Sequence, residues 1–503
     1  MTTARWESLS ALAKPTLATL FAQDEARAAR YSTLFEVGAG SEILFDWSKT
    51  HLDDAHIAAF EALAQEMAFA SQRGALFSGQ VVNPTEGRAA EHTAQRFVGS
   101  PVAVARARED HGRMEALVKA IHAGEHGEVR HLIHIGIGGS ALGPALVVDA
   151  LARKDAKLDV HVVANIDGCA LEAALAKCDP ATTMLAVASK TFTTIETLTN
   201  AESALAWLQA AGVANPRERV VALTAAPEKA QGWGVEEGRI LSFPESVGGR
   251  YSLWSTIGFP IAAALGWDGF AALLEGAAAM DRHFRDTEGA ANLPLRAAFA
   301  DLYYARLRGC QTRAVFAYDE RMALLPDYLQ QLEMESNGKS VTAEGAPLEG
   351  PSAPITWGGV GTDAQHAVFQ LLHQGTNLVP VDFIAAIAPG DALDPAHHRI
   401  LLSNCFAQGA ALMAGQASED GARAYPGDRP SATILLDALT PASLGALIAF
   451  HEHRTFASAV LLGINPFDQF GVELGKAIAK RIEAGNASFD ASTQALLERA
   501  KIA

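Results

Sequence analysis

The chain is short of cysteine, of positive charge and of uninterrupted apolar sequence. Its four cysteines, Cys169, Cys178, Cys310 and Cys405, are scattered through 503 residues, and no two have metal-ligand spacing. A chain of this length needs no disulfide framework, so they are expected to be reduced core residues. Lysine and arginine number 40 against 57 aspartates and glutamates, a formal net charge of −17. That field argues against nucleic acid or an anionic membrane as a general partner. It still admits an anionic small molecule, which a local nest of lysine, arginine and backbone N–H groups can hold. The apolar run at residues 262–265 breaks at Asp268, and no stretch reaches membrane-spanning length without a charge. No apolar secretory core follows Met1-Thr2-Thr3-Ala4-Arg5, so a cytoplasmic location is expected.

What is abundant is glycine, alanine and apolar sequence in short runs. Apolar residues make up 49% and charged residues 19%, an α/β composition with a sizeable core and room for two large domains. Leu9, Leu12, Leu17, Leu20 and Phe21 recur at roughly helical spacing, and residues 6–49 read as mostly helical. A second helix is expected over 54–73, then a turn at 83–88 entering a helix that carries His92 and Arg96, then a helix over 113–124. From there short buried strands at 132–135, 160–165, 183–188, 219–224 and 240–243 alternate with helices, the pattern of a mostly parallel sheet. Strands at 313–318, 378–384 and 431–436 repeat the idea, with helices over 364–373, 399–415, 441–463, 471–483 and 490–502. Residues 340–356 and 418–430 read as loops, and Gly358 to His366 as a loop running into a helix.

Two loops follow strands of the first sheet. Gly136-Ile137-Gly138-Gly139-Ser140 has a tight turn followed by a helix start with unpaired N–H groups. It misses the dinucleotide pattern Gly-x-Gly-x-x-Gly because residue 141 is Ala141, so an anion-binding turn fits better, beside a purely structural glycine turn. Ser189-Lys190-Thr191-Phe192-Thr193-Thr194 sets several hydroxyls at another strand end. Any one of them can be a helix cap. Together, at the carboxyl ends of parallel strands where ligands gather, Ser189, Thr191 and Thr194 suit a phosphate.

Other stretches offer proton-transfer groups. Gly248-Gly249-Arg250-Tyr251-Ser252 puts a guanidinium after paired glycines, able to steady an oxyanion or to bridge two domains. Gln331-Leu332-Glu333-Met334-Glu335-Ser336-Asn337-Gly338-Lys339 gathers two carboxylates, a serine and a lysine. A helix over 327–335, closed by Asn337-Gly338, would bury Leu329 and Leu332 and leave Glu335 in its last turn, where the dipole disfavours a carboxylate and suits a general base. The same pattern also describes an exposed acidic helix end. His366 in a helix first turn and Lys476 in a glycine-punctuated helix complete the set, although most of the 16 histidines serve packing and a lone lysine is usually solvated.

Taken together these segments resemble the glucose-6-phosphate isomerase family over nearly the whole chain. Gly248-Gly249-Arg250-Tyr251-Ser252 and Phe470-Gly471-Val472-Glu473-Leu474-Gly475-Lys476 are the most specific blocks. Gly138-Gly139-Ser140, Ser189-Lys190-Thr191-Phe192, Met334-Glu335-Ser336-Asn337-Gly338-Lys339 and Gln365-His366 follow in the family's order. Leu332-Glu333 stands where a Gly-acidic pair is more common, Phe470 where tryptophan is common, and Asp363 lies in a variable loop.

The resemblance implies two sugar-isomerase domains, each a parallel sheet flanked by helices, at 110–275 and 285–485. N-terminal helices over 1–109 would pack on the second, and a C-terminal helix would cover 486–503. It implies a homodimer, no metal and no other cofactor, and reversible conversion of glucose 6-phosphate to fructose 6-phosphate. Carried over by position, Ser140, Ser189, Lys190, Thr191 and Thr194 contact phosphate, with Gly139 and Glu196 nearby. Glu335 is the base, Arg250 stands beside the enediolate, and Gln331 and Gln469 line the sugar pocket. His366, from the neighbouring subunit, and Lys476 open the ring. An isomerase of another phosphosugar, such as mannose 6-phosphate, would keep Glu335 and the phosphate loops. A sugar-phosphate sensor of the same fold would not need Glu335, His366 and Lys476 together.

Overall fold

The apolar runs that mark buried strands lie in two sheets of a computed structural model. It describes residues 2–38, 40–485 and 488–502; Met1, Ala39, Asn486, Ala487 and Ala503, and so both ends of the segment 486–503, lie outside them. The strands are β1 (Ser32–Gly38), β2 (Ser41–Asp46), β3 (His131–Ile135), β4 (Asp159–Val163), β5 (Thr183–Ala188) and β6 (Val220–Thr224). They continue with β7 (Ile240–Ser242), β8 (Thr312–Tyr318), β9 (Ile355–Val360), β10 (Val381–Ala386) and β11 (Ser431–Leu436). The first sheet runs β4-β3-β5-β6-β7 and is parallel throughout. The second runs β1-β2-β11-β10-β8-β9, with β8 to β11 parallel and the β1–β2 hairpin antiparallel at one edge. Every residue of β5, β6 and β10 is buried, because helices cover both faces. The chain divides into two compact units, Met1–Pro466, which holds both sheets, and Phe467–Ala503, which holds the helices Glu473–Glu483 and Ala491–Ala500. Among the described residues no helix is long and apolar enough to cross a membrane.

Several sequence expectations need correction. Residues 32–46 are a hairpin, not helix. The helical leucine spacing belongs to the short helices Thr2–Ser10 and Leu17–Gln23, and at Phe35, Val37, Ile43 and Phe45 the buried positions recur every second residue. The helix expected over 54–73 is broken at Ala68, whose φ of 51° is left-handed, into Asp54–Glu66 and Phe69–Ser78. Strand β9 falls where a loop was expected. Its Gly358 hides it from strand propensity yet is required, since a Cβ there would stand 1.8 Å from the Val315 carbonyl oxygen of β8. The helix expected from 113 starts at Pro101, with Ser100 accepting from the Ala103 N–H as its cap. His92 and Arg96 sit on and beside a 3-10 turn, Thr93–Arg96, rather than in a helix. All four cysteines are free, but Cys169 is exposed and Cys178 half-buried, so only Cys310 and Cys405 are core residues.

The centre of the first unit is a pair of helices, Trp267–Asp286 and Pro441–Leu462. From Ser443 to Leu462 every residue of the latter is buried. The two cross at glycines: a Cβ on Gly276 would lie 1.8 Å from the Ala442 carbonyl oxygen, and one on Gly445 would lie 2.1 Å from that of Leu273. Charge is buried beside this crossing. Arg96 donates through Nε and Nη2 to Asp281 at 2.7 and 2.6 Å and pairs through Nη1 with Glu452. His453 holds Asp281 at 2.6 Å, and the Trp254 indole donates to Glu452 at 2.7 Å. The network ties the Thr93–Arg96 turn and both helices to the Gly249–Trp254 turn that follows the first sheet. Burial pushes the Glu452 carboxyl up to about 7 even with Arg96 beside it.

The helix crossing predicts opposite effects for two chemically identical substitutions. Gly445→Ala should lower the thermal midpoint, at a cost of about 1–3 kcal/mol, because the backbone opposite cannot yield. Gly74→Ala should leave or raise it by up to about 1 kcal/mol, because helix Phe69–Ser78 has open space there. Thermal unfolding of both variants checks the pair, and equal midpoints would contradict the close crossing.

Candidate active site

The carboxyl ends of β3 and β5 are neighbours, because the two strands pair in parallel register. After β3, Gly138 takes a left-handed φ of 56°, and the loop turns into the helix Leu142–Leu151. Gly139 lies so close to the Gly249–Arg250 peptide that a Cβ would fall 2.1 Å from the Gly249 carbonyl carbon. The loop is also held from below. His134 is fully buried, burial pushes it down to about 4, and its neutral ring donates from Nε2 to the Ser140 carbonyl at 2.7 Å. Sequence patterns did not single out His134, whose only local signal is a polar residue inside an apolar strand.

After β5 the chain makes a compact hydroxyl turn. Ser189 Oγ and Thr194 Oγ1 share a hydrogen bond of 2.9 Å, and Thr191 and Thr193 share one of 2.8 Å. Phe192, at a left-handed φ of 50°, is buried edge-on against Trp233 at 5.7 Å, while Thr191 and Thr193 stay exposed. Lys190 donates to the Glu245 and Val247 carbonyls at 2.7 and 3.2 Å. Burial, helped by the Arg88 charge, pushes its amine down to about 8. Thr194 precedes the helix Ile195–Ala210, whose first turn carries half-buried Glu196. Gly139, Ser140, Ser189, Lys190, Thr191, Thr194 and Glu196 therefore lie on two adjoining loops.

Facing these loops is the end of the helix that starts at Leu325. Its Gln331–Glu335 segment widens to a π turn, a feature often found at functional sites, before the helix closes at Asn337. Leu329 and Leu332 are buried as expected. Glu333 is buried too: it pairs with Arg313 and accepts from Thr356 at 2.6 Å. Arg313 in turn binds Asp382 at 2.7 Å, which fastens the π turn to the second sheet. Ser336 receives Arg250 Nε at 2.7 Å and meets the Tyr251 hydroxyl at 2.9 Å. Arg250 Nη2 donates to the Pro466 carbonyl, and Nη1 stands 3.8 Å from Glu335 Oε1. Gln331 completes the approach, since a Cβ on Gly138 would come within 3.1 Å of its amide nitrogen. Ser336 and Tyr251 lie inside the quoted motifs but were given no task from sequence; only the fold reveals that they grip the guanidinium.

Of the other expected residues in the first unit, His366 is not drawn into this cluster. His366 is exposed on the helix Asp363–Gln374 and makes no hydrogen bond or ion pair among the described residues. It edges an open groove of about 440 Å³ with His373, Gln408 and Tyr425. Its neighbour Gln365 is held by Tyr318 at 3.1 Å and Asn404 at 3.3 Å. In the second unit Gln469 precedes the turn Phe470–Val472, and Lys476 is exposed on the helix Glu473–Glu483. The first-unit cluster thus offers a fixed cation beside a carboxylate, facing a hydroxyl-rich pair of strand ends. Such a set can hold an anion, move a proton and steady an oxyanion. Among the described residues the grouping of three metal-ligating side chains, His131, His161 and Cys178, lies elsewhere.

Comparison with known proteins finds relatives along nearly the whole chain. The family model described as phosphoglucose isomerase matches residues 46–497. The glucose-6-phosphate isomerase of Novosphingobium aromaticivorans is 70% identical over 493 residues, covering 98% of this chain and 97% of that one. That of Zymomonas mobilis subsp. mobilis is 58% identical over 499 residues, covering 99% and 97%. The crystal structure of a glucose-6-phosphate isomerase from Chlamydia trachomatis superposes with a TM-score of 0.89 at 30% identity, covering 100% of this chain and 98% of that one.

Lys190 gives the loops a testable pH signature. Its amine is charged in the folded protein below about pH 8 and neutral above it. A bound phosphate favours the charged form. Above that pH, calorimetry with inorganic phosphate in buffers of different ionisation enthalpy should therefore show proton uptake, and affinity should fall as pH rises further. Lys190→Arg should remove the uptake, and an uptake unchanged in that variant would assign the proton to another group.

Proposed function

Since this chain belongs to the phosphoglucose isomerase family, we propose that it interconverts glucose 6-phosphate and fructose 6-phosphate through acid–base ring opening and a cis-enediolate, serving glycolysis and gluconeogenesis in the cytoplasm. The observation that carries the mechanism is the Arg250–Glu335 pair, a guanidinium held by Ser336 and Pro466 with its Nη1 3.8 Å from the carboxylate.

Ser140, Ser189, Lys190, Thr191 and Thr194 bind the phosphate dianion, with Gly139 admitting close backbone approach and Glu196 at the rim. The chemistry of a glycine-rich and a hydroxyl-rich loop, both at helix starts, supports this. With the phosphate held there, Glu335 takes the proton from C2 and returns it to C1 from one face. Arg250 supplies a permanent positive charge to the enediolate oxygen and has no proton to lose at neutral pH. Preorganised charge of this kind is worth roughly 10²–10³-fold in rate, and Ser336 and Tyr251 provide the preorganisation. Gln331 and Gln469 contact the sugar. The residues at 110–275 and 285–485 act as the two sugar-isomerase domains, with 1–109 and 486–503 as their additions. The reaction moves one proton between two carbons and is redox-neutral overall, so it requires no hydride acceptor.

Ring opening is the task of His366 and Lys476, Lys476 on the strength of its sequence block alone. His366 acts in the site of the partner subunit of a homodimer. Its exposure and its unengaged ring support this, as do exposed Leu371 on its own helix and Ile400 and Phe406 on the helix Pro395–Ala414. Mixing His366→Ala with Glu335→Gln subunits, each inactive alone, should restore part of the activity in the hybrid dimer. No recovery despite demonstrated subunit exchange would count against a shared site.

Glu335→Gln separates the two half-reactions. The amide has nearly the same volume and helix propensity, so the fold and the phosphate grip should persist. Isomerisation should drop by roughly 10²–10⁴-fold, because the amide cannot take the proton. Exchange NMR of fructose 6-phosphate anomers should still show ring opening, while exchange of the C2 proton with deuterated solvent collapses. C2 exchange at the wild-type rate in a folded variant would move the base to another residue, with Glu196 the first to examine.

A further inference from the structure

The first sheet carries a second cluster of reactive side chains at the other end of its strands. His131 opens β3 and Asp159 opens β4, paired in register, and His161 follows on β4 opposite Ile133. Residues two apart on a strand share a face, so His161 and Asp159 stand on one side of the sheet. Cys178 comes after the helix Gly168–Leu175, on the return to β5. One ligand atom from each of His131, His161 and Cys178 lies within 4.8 Å of the other two. Nδ1 of His131 and Nε2 of His161 are buried without a hydrogen-bond partner, and a buried polar atom in that state calls for an occupant. The Asp159 carboxylate stands 3.8 Å from Nδ1 of His131 and is largely exposed.

We propose that His131, His161 and Cys178 form a binding site for a thiophilic divalent transition-metal ion, zinc above all, with Asp159 or water as the fourth ligand. Two imidazoles and a thiolate are the donor set that zinc and its surrogate cobalt prefer, while magnesium and calcium require oxygen. Zinc bonds of about 2.0–2.3 Å put tetrahedral ligand atoms roughly 3.3–3.8 Å apart, so the side chains need to draw in by about 1 Å. All three are only half-buried, His131 at a strand end, His161 within the edge strand β4 and Cys178 in a loop, which leaves their side chains room to rotate. The ion must displace the Cys178 thiol proton to solvent, which favours metals with strong thiolate bonds. Lys177 adds an opposing positive charge, and Asp159 offsets it. The site lies at the amino ends of β3 and β4, while Gly136 to Ser140 and Ser189 to Thr194 extend from the carboxyl ends of β3 and β5. A bound ion would tie the edge strand β4 to the loop entering β5 and would leave the proposed isomerase chemistry untouched.

The test uses the full chain, stripped with chelator and titrated with Co²⁺. One equivalent should bind per chain, with a thiolate-to-cobalt charge-transfer band and the intense visible absorption of a tetrahedral site, and Zn²⁺ should displace it. Cys178→Ser should abolish the charge-transfer band. His161→Gln should weaken binding by about 100-fold or more. Cys169→Ser, which alters the exposed cysteine of the same segment, should change neither. Circular dichroism of the metal-free variants checks folding. If Cys178→Ser does not fold, His161→Gln carries the test, and unaltered binding there overturns the site. So does an absence of saturable binding to folded wild-type protein, or a band that survives Cys178→Ser.

Discussion

Two glycine turns share one space, and the proposed active site depends on it. Gly139 and the Gly249–Arg250 peptide are closer than any side chain would allow. The anion-binding loop of the first sheet is therefore positioned by the same turn that presents Arg250. Arg250 hands this position on to the second sheet's helix through Ser336, and Tyr251 braces the same hydroxyl. Anion grip, fixed cation and carboxylate become one assembly, set by backbone contact between the two glycine turns and by buried side-chain hydrogen bonds beyond them. Preorganisation of that kind is what electrostatic catalysis requires.

Buried arginines fasten the assembly to the rest of the first unit. Arg313 joins Glu333 of the π turn to Asp382 of β10, and Asp382 also accepts from Arg454 at 2.7 Å. Arg454 reaches Asp301 at 2.6 Å through Nε. Arg96 does the same for the helix pair and the Gly249–Trp254 turn. Such networks add little net stability over apolar packing, but breaking one partner costs about 3–5 kcal/mol, because it strands a buried charge. They act as registers: a helix turn shifted along its axis would lose its guanidinium. Glu333, the acidic member of the Leu332-Glu333 pair, fills such a position.

The parallel strands were legible because they are continuous apolar runs, and β5, β6 and β11 lie within a residue of where the runs suggest. The hairpin at 32–46 was not, because its period-2 pattern follows directly on helical leucines and only one face is buried. Strand β9 was hidden by Gly358 and Gly359, whose lack of a side chain serves a close approach that no local pattern encodes. At the site, the loops and the Glu335 motif stand out as rare clusters of chemistry in short stretches. His134, Tyr251 and Ser336 do not, since their value lies in contacts across the fold. His131, His161 and Cys178 are farther still from legibility. Their spacing in sequence resembles no ligand motif, and a sheet edge alone brings them together.

The helix Pro441–Leu462 is buried on all sides from Ser443 onward, yet it comes near the end of the chain. Its partner Trp267–Asp286 is made long before it, and the face around Gly276 has no cover until the later helix leaves the ribosome. At synthesis rates of ~5–20 residues per second, the intervening stretch takes about 10–30 s to make. For that interval the nascent chain displays an apolar helix face with a bare glycine notch, and Asp281 has Arg96 but not yet His453 as a partner. The first sheet can close on its own strands in that time; the second cannot, because β11 precedes the late helix by only a few residues. Vectorial synthesis thus leaves the first unit half-assembled until the last quarter of the chain appears.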